Sequence, residues 1–306
     1  MATVAESPHP MVNHHRQGVL MLLGATLAWS SAGLFARAIP LDTPTVILWR
    51  GMAGAVGLVL LLLWLRGREG LRDFTRLGWA GVGYALFSGC GMLLFVGSLK
   101  ATSIAHVAII YATLPFIAAG LGWLILREAP GKAGIVAATL ALTGATVMVG
   151  LGNDGALIGD IMAFGMVLAM AGMIMIARGC PDMPALAAGT LSAIWAPLAM
   201  IPFSTTVGLD GTNLLLLAGF GLVNSTLGFA LFVLGSRHTS PVETALIGAL
   251  ETALTPVWVW LVFHETPTTP TLIGGAMVLA ASVGHILWSA KRQNSLSRQN
   301  ATHTPA

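Results

Sequence analysis

Ten apolar stretches follow one another along this chain, each about as long as the ~20 residues a helix needs to cross the hydrocarbon layer of a bilayer. Bounded by charge, Gly or Pro, they run over about 18–38, 44–65, 77–98, 102–126, 133–151, 157–177, 184–203, 213–235, 242–263 and 271–289. The connections are short, so successive helices should run antiparallel. Only 9% of the 306 residues are charged, and mean hydropathy is +0.82. An average soluble domain carries about 25% charge, and a chain this poor in charge cannot cover a water-facing surface of its size. The predicted class is therefore all-α and integral to a membrane, with a cytoplasmic tail at each end, 1–17 and 290–306. The net charge of +3 is small and does not point to a nucleic-acid partner. Cys90 and Cys180 offer neither a disulfide framework nor metal-ligand spacing and read as small apolar fillers.

The runs repeat. "LPFIAAGLGWLILREAP" (114–130) and "ETALTPVWVWLVFHETP" (251–267) align without a gap, pairing Trp123 with Trp260, Leu124 with Leu261, Glu128 with Glu265 and Pro130 with Pro267. "GVLMLLGATLAWSSAGLFARAIP" (18–40) aligns in the same way with "GDIMAFGMVLAMAGMIMIARGCP" (159–181), and Arg37 meets Arg178. The first run, with Arg16 ahead of it and Ala36-Arg37-Ala38 behind it, resembles a secretory leader. A cleavable leader has no reason to copy a mid-chain helix, so it is read as the first span. Two units follow: 18–151 and 157–289, five helices each.

Cytoplasmic segments collect Lys and Arg. With the N-terminus inside, the inner segments hold Arg16, Arg66, Arg68, Arg72, Arg76, Arg127, Lys132, Arg178, Arg237, Lys291, Arg292 and Arg298; the outer ones hold Arg37 and Lys100. Both termini are thus expected in the cytoplasm of an inner or plasma membrane. Five is odd, so the second unit must cross upside down, with Glu128 at the inner face and Glu265 at the outer. This is an inverted-topology repeat, the architecture of alternating-access transporters.

The chain resembles the EamA-type transporters of the drug/metabolite transporter superfamily. The resemblance spans about 18–289 and is carried by "YATLPFIAAGLGWLILREAP", "ALETALTPVWVWLVFHETP", "LAWSSAG" and "LWRG". In the family a helix proline is followed thirteen residues later by a terminal Glu. Pro115 and Glu128 obey this, whereas in the second unit Thr252 takes the proline's place and Pro256 comes four residues later. The resemblance implies a cavity between the units, lined by helices 1–4 and 6–9, with helices 5 and 10 outside. It also implies efflux of small organic metabolites, such as amino acids, coupled to protons.

An ionisable group within a span is a functional candidate by default. Arg50 lies roughly 10–11 Å below the outer boundary, at 1.5 Å per residue. It would anchor a solute carboxylate or partner a gating acid; the plain alternative is an outward-snorkelling side chain. Glu251 lies roughly 14 Å from the cytoplasmic side, near the middle of the ~30 Å core. The two are expected at similar depth, facing one cavity, close enough to pair directly or through water. A fixed structural ion pair is the alternative.

Trp29, Ser30, Ser31, Tyr84, Ser88, Tyr111, Thr113, Asn224, Ser225, Thr226, Thr255 and Trp258 are cavity candidates as a set, each equally able to serve packing between helices. Pro115 and Pro256 are the expected hinges of helices 4 and 9.

Ser240 to Glu243 reads as a capping box, Asp160 as an acid at a helix start, His106 as interfacial, and His9, His14 and His15 as part of a disordered tail. Ala133, Ala137, Ala141 and Ala145, and likewise Ala276, Ala280 and Gly284, form small-residue stripes for packing within the chain or between two chains. No nucleotide-binding loop or zinc-ligand spacing appears, so neither cofactor, metal nor catalytic set is expected. Three rivals remain: the same fold importing phosphorylated or nucleotide-linked solutes, which would need more interior cations; an intramembrane lipid-modifying enzyme, which would need clustered His, Asp, Glu or Ser; and a membrane scaffold.

Overall fold

The computed structural model describes residues 10–127, 132–151, 155–236, 238–239 and 241–302. Glu128, Pro130 and Ser240 lie outside these, and with Ser240 the capping box expected to open helix 9. The described chain is helical throughout: α1 Pro10–Ser30, α2 Ala32–Ala38, α3 Thr43–Arg66, α4 Glu69–Asp73, α5 Gly78–Ala101, α6 Ile104–Tyr111, α7 Leu114–Leu126, α8 Lys132–Leu151, α9 Leu157–Gly179, α10 Ala185–Leu198, α11 Gly211–Phe220, α12 Gly228–Ser236, α13 Pro241–Phe263 and α14 Thr269–Thr302. A π-helical segment, Gly221–Leu227, joins α11 to α12. Among the described residues nine helical units are long and apolar enough to cross a membrane, and α13 adds the apolar stretch Leu250–Phe263. These are the ten expected spans: α1–α2, α3, α5, α6–α7, α8, α9, α10, α11–π–α12, α13 and α14.

Two boundaries differ from the sequence reading. Helix α1 begins at Pro10, so His14 and His15 belong to a helix rather than to the expected disordered tail; His9 is outside the described residues. Helix α14 continues to Thr302 through the stretch expected to be a tail. Polar residues continue both helices past the apolar run, because hydropathy marks the lipid boundary and not the end of the hydrogen-bond ladder.

Local chemistry sets the ends. Asp42 caps α3 by accepting from the Thr45 N–H at 3.0 Å, Pro44 sits in the first turn, and Gly67 ends the helix at φ +55°. Span 4 breaks after Tyr111. Pro115 has no N–H to offer the Tyr111 carbonyl, and Thr113 turns its hydroxyl back to the Ile110 carbonyl at 2.7 Å. The expected hinge at Pro115 is thus a real discontinuity. Pro256, by contrast, lies within an unbroken α13.

The repeat is visible in the backbone. Arg127 and His264 are the non-glycine residues with positive φ among those described, at 56° and 58°. They are 137 positions apart, the spacing of Trp123 and Trp260, and each ends its helix in the left-handed conformation. The packing follows the same rule. Span 5 lies on span 10, span 2 on span 7, and the first half of span 4, α6, on span 9. Span 1 packs on spans 8 and 9, and span 6 correspondingly on spans 3 and 4. Exchanging each span for its twin maps this pattern onto itself. Trp123, Leu124, Trp260 and Leu261 are exposed and face the bilayer, as apolar surface on a membrane protein must.

At the α8–α14 crossing Ala141, Met148 and Val278 are fully buried. A Cβ on Gly144 would lie 2.7 Å from the Gly274 carbonyl oxygen, and one on Gly274 would lie 2.4 Å from that of Gly144, so the two backbones touch. The stripe expected on span 5 is used here, within the chain. On span 10 the buried face is Gly274, Val278 and Ala281, whereas Ala276, Ala280 and Gly284 are exposed.

Candidate functional site

Helix α3 carries Arg50 into the bundle against the π-helical segment. A Cβ on Gly221 would lie 2.1 Å from the Arg50 carbonyl, so only glycine lets the two chains meet there. The Arg50 side chain is 3% exposed and therefore does not snorkel to the surface. Its guanidinium carbon lies 4.3 Å from the centre of the Phe220 ring, which is stacked on Phe35 at 5.2 Å. Its Nη2 donates a long hydrogen bond, 3.4 Å, to the Ser225 hydroxyl. Among the described residues Nε and Nη1 are buried without a hydrogen-bond partner.

Glu251 is half-buried on α13. Among the described residues it forms no ion pair with Arg50. The direct pairing expected from depth alone is not made here, because equal depth does not fix which way two side chains on different helices point.

Other candidates do come together. Asn224, in the π-helical segment, donates from Nδ2 to the carbonyls of Ala28 and Trp29 at 3.1 Å each, and the Trp29 Nε1 donates to the Asn224 carbonyl at 3.0 Å. Trp258 donates to the Ser30 hydroxyl at 3.0 Å. The Thr255 hydroxyl caps the Glu251 carbonyl at 2.8 Å. Span 1 is thereby tied to spans 8 and 9. Tyr84 and Ser88 lie elsewhere: Tyr84 packs on the cluster of Leu77, Ala187 and Ala188, and Ser88 bonds Ser192 at 2.9 Å, so both serve the contact with α10.

A cavity of about 260 Å³ opens at the Arg37 end of the bundle, lined by Arg37, Ser103, Ile104, Pro256, Val259 and Glu265 among others. Arg50 and Glu251 are not on its wall. Here Arg37 and Glu265 form an ion pair, Nε to Oε1 2.7 Å and Nη2 to Oε2 3.3 Å, and Nη2 also donates to the Thr102 carbonyl at 3.1 Å. Among the described residues α13 packs on α6 at this end and makes no comparable contact with α7 toward the other. Helices 4 and 9 are therefore drawn together at the Arg37 end.

Sequence reasoning missed Phe220, the Arg37–Glu265 pair and the burial of His106. The first had no signal, since one phenylalanine in an apolar run looks like any other. The second did: Arg37 and Glu265 are each matched by their repeat twins, Arg178 and Glu128, which makes both stand out from the surrounding apolar residues. The expectation that His106 is interfacial is overturned. It is 1% exposed and bonded to Asp160.

No metal-holding cluster of His, Cys, Asp or Glu occurs among the described residues. A comparison with curated proteins gives no match. A solved structure described only as "Crystal structure of protein" superposes with a TM-score of 0.62 over 91% of this chain and 99% of its own, at 18% identity, a likeness of fold alone. The family model for the EamA-like transporter family matches twice, over residues 16–150 and 157–287, which are the two five-span units found in the structure. With nearly the whole chain accounted for by this tandem match and by the ten spans that fold accordingly, the chain belongs to the EamA-like transporter family, membrane transporters of the drug/metabolite type.

Proposed function

We propose that this protein exports small organic solutes bearing a carboxylate, amino acids among them, in exchange for protons, by exposing a site between its two repeats to each side of an inner or plasma membrane in turn. One observation carries the reading. Arg50 is buried among apolar and aromatic side chains with two guanidinium nitrogens unbonded, in a class of protein whose work is to bind and release solutes. A guanidinium cannot shed its charge in such a place, so a carboxylate entering from the bilayer midplane would supply the missing acceptors. Glu251, half-buried within span 9, is suited to carry the exchanged proton. Phosphorylated solutes fit less well, since they would call for several interior cations near Arg50.

Purified protein in liposomes, offered a panel of labelled amino acids and organic acids with and without a proton gradient, tests this. Gradient-driven movement of at least one carboxylate solute is expected, lost in Arg50→Gln and uncoupled from pH in Glu251→Gln. Movement of uncharged solutes alone, or full transport by Arg50→Gln, would sink it.

A further inference from the structure

Away from Arg50 and Glu251, the Arg37 end holds a second set of titratable groups. His106, at the start of α6, places Nδ1 3.0 Å from both carboxylate oxygens of Asp160, in the first turn of α9. The Thr102 hydroxyl donates to the same carboxylate at 2.9 Å and accepts from the Ala156 N–H at 2.9 Å. On the far side of the ring, Nε2 meets the Thr271 hydroxyl at 3.4 Å. All four residues are at most 5% exposed. Two glycines make the room: a Cβ on Gly155 would lie 2.3 Å from His106 Nδ1, and one on Gly159 would lie 2.6 Å from the Thr102 Cβ.

The cluster is wired to the Arg37–Glu265 pair. Thr102 gives its hydroxyl to Asp160 and its carbonyl to Arg37, so one residue bonds both.

We propose that His106 and Asp160 form a proton-binding site that controls closure of the Arg37 end. A carboxylate can only accept, so Nδ1 carries the hydrogen facing Asp160 and Nε2 is the atom that gains or loses a proton. The Thr271 hydroxyl serves both forms, donating to a bare Nε2 and accepting from a protonated one. With neutral imidazole the cluster has a net negative charge, and Arg37 is held by two acids, Glu265 directly and Asp160 through Thr102. Proton uptake makes the His106–Asp160 pair neutral and leaves Glu265 alone to hold Arg37, so acid loosens this end.

Among the described residues the charged groups around the pair are these. Asp160 comes from α9, Arg37 from α2, Glu265 from the stretch after α13, and Lys100 from α5, where it bonds the Ile39 carbonyl. Helices α8 and α14 bring no charged side chain to this end, and Asp154 lies outside the described residues.

Val259 reports on closure. It is 2% exposed, lines the cavity and packs against Gly33. In a Val259→Cys, Cys90→Ser chain in lipid nanodiscs, the labelling rate of the new cysteine is compared with that of exposed Cys180 in the same sample, between about pH 5 and 8, where histidine changes charge. The ratio is expected to rise several-fold in acid, and the rise to vanish in His106→Gln and in Asp160→Asn. It should persist in Glu251→Gln, which separates this site from the coupling role proposed for Glu251. A ratio that does not change with pH, or an unchanged rise in His106→Gln, overturns the proposal. Should these variants not fold, nitrogen-15 histidine spectra of the otherwise unaltered chain decide: a His106 ring whose protonation is constant across the same range also overturns it.

Discussion

Arg50 has a charge that cannot be removed, burial to 3% and two nitrogens with nothing to bond. Neither the Phe220 face nor one long bond to Ser225 offsets that desolvation, since a cation–π contact contributes about 0.5–2 kcal/mol and isolated buried charge costs several. An unliganded Arg50 should therefore destabilise the fold. Arg50→Met, of similar length and apolar, is expected to raise the thermal midpoint of the detergent-purified protein while abolishing transport; a lowered midpoint would show that Arg50 is held for structure. Phe220→Leu keeps an apolar side chain but removes the ring, and should weaken solute binding about 2- to 10-fold, the equivalent of an exposed-to-partly-buried cation–π contact. Ligand-induced shifts in melting temperature would measure it. That Arg50 stands apart was legible, because arginine inside an apolar run is rare by itself. Its surroundings were not: Phe220 and Ser225 come from a span some 170 residues away, and one helix periodicity says nothing about another's rotation.

Twin helices are built alike and finished differently. Span 4 is broken at Pro115 while its twin α13 runs straight through Pro256; span 8 carries a π-helical segment while its twin α5 is regular. Such differences between sequence-related elements are what the proposed alternating-access cycle would call for, one copy in each arrangement. The π-helical segment depends on Asn224, whose amide bonds two carbonyls of span 1. Asn224→Ala should lower stability by about 1–3 kcal/mol, from the loss of two buried hydrogen bonds at about 0.5–1.5 kcal/mol each, measured by thermal unfolding; loss of under 0.5 kcal/mol would mean the segment is held by packing alone. At the α2–α3 corner, burial pushes the Asp42 carboxyl up, but hydrogen bonds from Thr45 and Thr205 outweigh it and hold it below its ordinary value. A carboxyl so lowered contributes stability above the pKa of the unfolded chain and loses it as pH falls through the folded value, so this corner should loosen below about pH 4 and not before. Protease nicking of the 38–43 connection at pH 3 and pH 5, with Asp42→Asn as control, would check it. The sequence showed where spans 4 and 9 begin and end, and the break at Pro115. It could not show the π-helical segment, since no residue type demands one.

As a whole, the molecule is two interleaved copies, and nearly every large helix contact joins one copy to the other. An odd number of spans per copy puts Cys180 and both termini on one side. An impermeant thiol reagent should therefore label Cys180 only from the side that exposes N- and C-terminal tags; labelling from opposite sides would refute the arrangement. The tandem alignment made this architecture legible before any coordinates, because each copy of Trp123, Glu128 and Arg37 has a counterpart. Whether a small-residue face looks inward was not legible: Ala276, Ala280 and Gly284 have the same spacing as the buried stripe of span 5 but lie on the outward side of their helix.

The backbone contact between Gly144 and Gly274 has a mechanical consequence. Carbonyl against α-carbon leaves no side chain to re-rotate and no slack to slide, so in the proposed alternating-access cycle spans 5 and 10 would act as an axle about which the other eight swing. A bulky residue at either glycine would pry the axle apart and disable both directions of the stroke at once.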